Sequence, residues 1–350
     1  MYYDPNDPQQ ALYNTAYAQA VRNEKRMMLI DCSKLGALLL LYNILTAYVF
    51  RYVYYAVVAS VHSGSAHILP SQSVKYLQEH MEIVYSTSFS MGGNLAVVFS
   101  GVTMIMLIAR FAMRVRLSEL LRPQGRHAGQ AFKWLPLCVL LNTVISIVIG
   151  YIESYLSAYG VTIPESDFSI SKPTTLALVL QFTYVIVLGP VAEELIYRGL
   201  ILTLLKPYGR WLAVFFSALF FGIMHGNIPQ AVSAFGSALV MGAVAIRCNS
   251  IVPTIIIHIF NNLIASYYDF ADVIGWGYSD EIFMVIQILV FLTGTFVLLV
   301  YGWQITSVKD GECAMPFGKR LGEVFRSPMI IAYLAYELYF MVKAIVEANS

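Results

Sequence analysis

Polar residues along this chain are confined to short stretches between long apolar runs. The runs lie at Leu35–Val58, Leu95–Met113, Leu135–Tyr155, Leu176–Leu205, Trp211–Met224, Ala231–Ile246, Ile251–Ser266 and Ile282–Tyr301. Each approaches the ~20 consecutive apolar residues with which an α-helix crosses a hydrocarbon core of about 30 Å. The pattern predicts eight spans and an all-α, polytopic transmembrane helical bundle. A further apolar tract, Met329–Val346, follows Pro328 and contains Glu337 and Lys343. It predicts an amphipathic helix lying in the interface rather than a short ninth span. No internal repeat or low-complexity segment is visible. The chain divides into a cytoplasmic N-terminal arm (1–28), one transmembrane bundle (29–305) and a cytoplasmic or interfacial tail (306–350).

Composition narrows the class. Of the 350 residues, 58% are hydrophobic and 12% charged, which excludes an ordinary soluble domain. The net charge is +1 and no Lys/Arg block is dense enough to track a phosphate backbone, so no nucleic acid partner is expected. The basic residues set the orientation. Lys25-Arg26, Arg110 to Lys133, Lys206 to Arg210, Arg247 and Lys309 to Arg326 fall on one side if the spans alternate, whereas the loops His62–Gly92, Ser157–Thr174 and Asp269–Glu281 are acidic or nearly neutral. The positive-inside rule makes the basic side cytoplasmic, with both termini there. Arg51 interrupts the first run and reads as a snorkelling residue near its outer end. Cys32, Cys138, Cys248 and Cys313 form no paired motif, so neither disulfides nor a cysteine zinc site are expected. The polar N-terminus lacks a small-residue cleavage site, and no removable signal peptide is expected. The expected location is multi-pass in the plasma membrane of a bacterium.

Against this background the polar residues inside spans stand out, because ionisable groups at membrane depth cost roughly 2.5 to 3.5 kcal/mol each and mark function. Glu193 and Glu194 follow Gly189-Pro190 in the fourth run, with Arg198 four residues after Glu194. On a helix Glu194 and Arg198 can pair, while Glu193 lies on a face turned by about 100°. One carboxylate is then neutralised and the other is available. His225 and His258 are the histidines inside spans, and Asn262 stands one turn beyond His258 with Asn261 close by. Counted at 1.5 Å per residue from the basic ends, Glu194, His225 and His258 lie roughly 12 to 21 Å deep. They can meet in one cavity open to the cytosol. Taken singly, each has a structural reading: an interhelical hydrogen bond for a lone histidine or asparagine, an ion pair for Glu194 and Arg198, a core aromatic for Phe221. Glu193 has no such partner in sequence. His62, His67 and His80 fit no metal-ligand spacing.

Glu193-Glu194-x-x-x-Arg198, Phe221-x-x-x-His225 and His258-x-x-x-Asn262, in that order on three apolar helices, resemble the three motifs of the CAAX protease and bacteriocin-processing (CPBP, or Abi) family of intramembrane proteases, which includes the CAAX prenyl endopeptidases of the Ras-converting type. The resemblance covers a motif core of about 176–266. It implies an endopeptidase that hydrolyses a peptide bond near the C-terminus of a peptide or membrane-protein substrate, prenylated in the CAAX case, without an acyl-enzyme. It also implies that Glu193 activates water with help from His225, that His258 and Asn262 form the oxyanion hole, and that no cofactor is needed. Glu194 and Arg198 would hold Glu193 in place. A zinc metalloprotease is the enzyme alternative, with Glu193, His225 and His258 as ligands, although no H-E-x-x-H pair is present. A non-catalytic binding or immunity protein, or a small proton-coupled transporter, is the alternative from another class; a transporter should show duplicated or inverted halves, and none is apparent.

Overall fold

The computed structural model describes residues 8–65, 68–121, 127–164 and 174–350, and among these the regular structure is entirely helical. Nine apolar helices build the bundle. α1 (8–63) passes through a π-helical turn at Leu45–Phe50. Then follow α2 (Thr87–Ala112), α3 (His127–Ser157), α4 (Thr175–Tyr208), α5 (Arg210–Ile223), α6 (Ile228–Cys248), α7 (Val252–Ala265), α8 (Ser279–Tyr301) and α9 (Pro328–Ala348). Short polar side chains mark several starts, because the first N–H groups of a helix lack internal partners. Ser86 caps α2, Thr174 caps α4, Asn227 caps α6 and Ser327 caps α9, each accepting from a backbone N–H three residues on.

Among the described residues, seven helices are long and apolar enough to cross a membrane. The eight runs of the sequence resolve differently in two places. α5 and α7 have 14 residues each, which is about 21 Å of helix, too short to span alone. Both are instead packed against protein: Leu212, Ala213, Val214, Phe216, Ala218 and Phe220 of α5 have no exposed surface. The tail tract, expected in the interface, forms a 21-residue helix of spanning length. Its buried face, Ile330, Tyr333, Glu337 and Met341, lies in the bundle, with Tyr333 edge-on to Phe220.

α9 runs parallel to α1. Ser33 meets Ser327 at 3.1 Å and, ten residues on along both helices, Asn43 donates to Glu337 at 2.7 Å. Gly36 permits this approach, since a Cβ there would stand 2.4 Å from the carbonyl carbon of Met329. Asn349 brackets the backbone of Thr162 with two 2.7 Å hydrogen bonds, so the C-terminal end lies with the acidic loop after α3. The arm lies at the other face, where Glu24 accepts from the backbone of Ala314 and Met315. Among the described residues the two ends thus lie at opposite ends of the bundle.

Candidate active site

The site begins with a local irregularity of α4. Two π-helical turns, Phe182–Leu188 and Leu195–Ile201, flank the short α-helical piece Gly189–Glu194. Pro190 at the start of that piece has no N–H to donate, and the Gly189 N–H reaches back to Tyr184 O. A Cβ on residue 189 would stand 2.7 Å from the same oxygen, so the turn requires glycine. The two glutamates that follow face different surroundings.

Glu194 is sealed. Its Oε1 accepts from Arg198 Nη1 at 2.9 Å and lies 3.0 Å from His258 Nδ1, and both members of the Glu194–Arg198 pair have side chains with 0% exposure. Glu193 retains 25% of its side-chain surface, and its Oε2 lies 3.5 Å from His258 Nε2. His258 therefore bridges the carboxylates, one per ring nitrogen. Arg198 also reaches Met241 Sδ at 3.8 Å and stacks on Phe221, its Cζ 4.4 Å from the ring centroid. The edges of His225 and His258 meet the same ring, with centroids at 5.1 and 5.5 Å. Phe221 is thus the hub that holds the arginine and both histidines, a role invisible when it is read as a core aromatic.

His225 sits in the turn after α5, where the last helical carbonyls lack internal partners. Its Nδ1 lies 2.9 Å from Phe221 O and 3.3 Å from Gly222 O. Carbonyls only accept, so Nδ1 carries the proton and Nε2 is left for chemistry. Asn262 Nδ2 donates to Val185 O in the first π turn of α4, at 2.9 Å, and holds α7 to α4. Asn261 pairs with Asn142 of α3 at 2.8 Å. The structure brings Glu193, Glu194, Arg198 and His258 into direct contact, with His225 across Phe221 and Asn262 one helical turn along α7.

Glu193 faces a cavity of about 600 Å³ bounded by α1, α2, α4, the turn after α5, and α9. Tyr42, Asn43, Arg51, Asn94, Tyr184 and Glu337 supply much of its polar lining. The cavity runs from the middle of α4 toward Tyr184, Arg51 and Asn94, away from the Lys206 end. Toward Lys206, Leu200, Ile201 and Leu205 of α4 have no exposed surface. An apolar groove of about 450 Å³ between α2 and α4 adjoins the cavity, sharing Val98, Tyr184 and Ala192 with it, and Arg110 lies at its basic end.

Among the described residues no three His, Cys, Asp or Glu side chains gather so as to hold a metal ion. His62 and His80 approach each other beside Tyr76, with ring centroids 5.4 Å apart, and His67 lies outside the described residues. The residues missed by sequence reasoning are Tyr42, Asn43, Asn94, Tyr184 and, as site residues, Arg51 and Glu337. Their signal was present as polar groups isolated in apolar runs. Residues 175–264 match the family described as Rce1-like, type II CAAX prenyl endopeptidase. No curated protein and no solved structure matches the chain.

Proposed function

We propose that the chain, whose residues 175–264 match the Rce1-like type II CAAX prenyl endopeptidase family, is an intramembrane protease that cleaves lipidated peptides near their C-terminus by water activated at Glu193. The observation that carries the reading is the unequal environment of adjacent carboxylates. Glu194 is neutralised between Arg198 and His258, while Glu193 is turned to the cavity. In the proposed reaction Glu193, assisted by His225 Nε2, takes a proton from water as the oxygen attacks the scissile carbonyl. The negative charge passes to the carbonyl oxygen, where His258 Nε2–H and the amide hydrogen of Asn262 not used by Val185 donate to it. The tetrahedral intermediate collapses with the C–N bond breaking, and the proton returns from Glu193 to the departing amine.

The groove between α2 and α4 supports a lipidated substrate. It is lined almost wholly by apolar side chains and adjoins the cavity at Val98, Tyr184 and Ala192, which supports an isoprenoid lying in the groove while the peptide reaches Glu193. The basic ends of α2, α4 and α6 support a cytoplasmic arm and an opposite-facing C-terminus.

No metal takes part in this reading. The test uses the full chain in liposomes with an S-prenylated peptide ending in a CAAX sequence, with and without a chelator. Cleavage is expected to survive metal removal, and His258→Ala and Asn262→Ala are expected to lower kcat by about 10²- to 10³-fold with little change in KM. Stoichiometric zinc in active protein, with activity lost to chelation and restored by metal, would overturn it. In that case His258→Ala would remove metal together with activity and Asn262→Ala would matter much less.

A further inference from the structure

At the basic end of the bundle, the ends of α4 and α6, the start of α5 and the segment after α8 surround a pocket of about 730 Å³. Lys206, Arg210, Arg247 and Lys309 line it, and no Asp or Glu does. None of the four has an ion-pair partner among the described residues. Asp310, the residue after Lys309, is engaged elsewhere: its Oδ2 accepts from Arg320 and its Oδ1 from the Trp211 N–H. The positive-inside rule accounts for cations at this end of the spans, but not for four of them around one concavity. Neutral groups hold them there. Lys206 Nζ donates to Asn249 Oδ1 at 3.3 Å, Arg247 Nη1 to Gln304 O at 2.7 Å and to Ser307 Oγ at 3.4 Å, and Arg210 Nη1 to Lys309 O at 3.2 Å. These bonds tie α4 to α6, α6 to the segment after α8, and that segment to α5. Such acceptors orient a cationic side chain without cancelling its charge, so the pocket is set for an anion.

We propose that this pocket binds the phosphate of an anionic phospholipid headgroup. Its level in the bundle argues for a lipid. Three helices of spanning length, α4, α6 and α8, end around it at Tyr208, Cys248 and Tyr301. Two tryptophans stand beside it: Trp211 Nε1 donates at 2.9 Å to the carbonyl of Val308, a lining residue, and Trp303, just past α8, is exposed. Tryptophan collects at the level of the headgroups, and a basic pocket between helix ends at that level meets them directly. The donor set argues for phosphate. The two guanidinium groups offer planar forks that match phosphate oxygens, and the two ammonium groups add point charges. The pocket shares no lining residue with the cavity of Glu193, so it is a second site and does not rest on the protease reading.

The test follows the melting temperature of the full chain in a neutral detergent as phosphatidylglycerol, phosphatidylcholine or inorganic phosphate is added. Phosphatidylglycerol is expected to raise it to a plateau, since a ligand of the folded state stabilises by mass action, and the other two are not. Lys206→Gln combined with Lys309→Gln removes two charges and keeps a donor toward Asn249. This variant is expected to need about 30-fold more phosphatidylglycerol for half the shift. Arg22→Gln combined with Lys319→Gln removes two exposed charges outside the pocket and is expected to match wild type. Each half-shift concentration is read within one preparation, so a variant's own stability does not enter. An equal shift from phosphatidylcholine, or the same half-shift concentration in both double variants, overturns the proposal. A shift given as fully by inorganic phosphate assigns the pocket to a free anion and overturns the lipid as its source.

Discussion

Two neighbouring residues of one type take opposite parts here because one helical step separates a sealed environment from an open one. Glu193→Gln removes the proposed base and keeps the shape, so it is expected to reduce kcat by about 10²- to 10⁴-fold in protein that inserts and melts like wild type. Retention of more than about a tenth of the wild-type kcat would exclude Glu193 as the base. Arg198 is expected to behave otherwise. Its guanidinium is the counter-ion of a carboxylate with no exposed surface, and it also packs on Phe221. Removing one partner of a buried pair typically costs about 3 to 5 kcal/mol, so Arg198→Ala should lower both yield and thermal stability along with activity. A variant as stable as wild type would show that the pair is solvated.

At the scale of elements, the π turns of α4 and the docking of the tail decide what the residues can do. Each π turn shifts the phase of the helix, and the pair brackets the six residues that present the glutamates. The tail is fastened at its other end by Arg320, which donates to Asp310 at 2.6 Å and to Tyr208 O at 2.6 Å. Burial works to raise the Asp310 carboxyl, but the Arg320 hydrogen bond and charge, with the backbone N–H groups of Trp211 and Arg210, outweigh it and hold it below the usual carboxylate range. A depressed folded-state value means that the contribution is present above the unfolded value, near 3.9, and is lost as pH falls through the folded one. Asp310→Asn is therefore expected to melt at lower temperature than wild type at pH 7. The gap should narrow as pH falls below about 4, and a gap that stayed constant across this range would refute the linkage.

At the scale of the whole molecule, α9 has the length of a span and closes one wall of the cavity with Tyr336, Glu337 and Phe340. It also carries the C-terminal end to the face opposite the arm. Epitope tags at the two ends are expected to differ in protease accessibility in sealed, oriented vesicles, the N-terminal tag being exposed on the cytoplasmic side only. Equal protection of both tags would return the tail to the interface.

Hydrophobic periodicity and the placement of charge along the chain are enough to determine an all-α membrane bundle, since apolar length and polar exclusion are properties of the sequence itself. The motif residues Glu193, Glu194, Arg198, His225, His258 and Asn262 were legible for the same reason: ionisable and amide groups are costly at that depth and few in number. The Glu194–Arg198 pair followed from helix spacing alone. What only the tertiary structure decided are the relations between helices. That His258 stands between both glutamates, that Asn262 spends a donor on Val185, and that Phe221 joins the arginine to both histidines depend on how three helices meet, which no single helical period encodes. The same holds for the cavity. Its walls come from α1, α2, α4 and α9, which are far apart in the chain and meet only in the folded bundle.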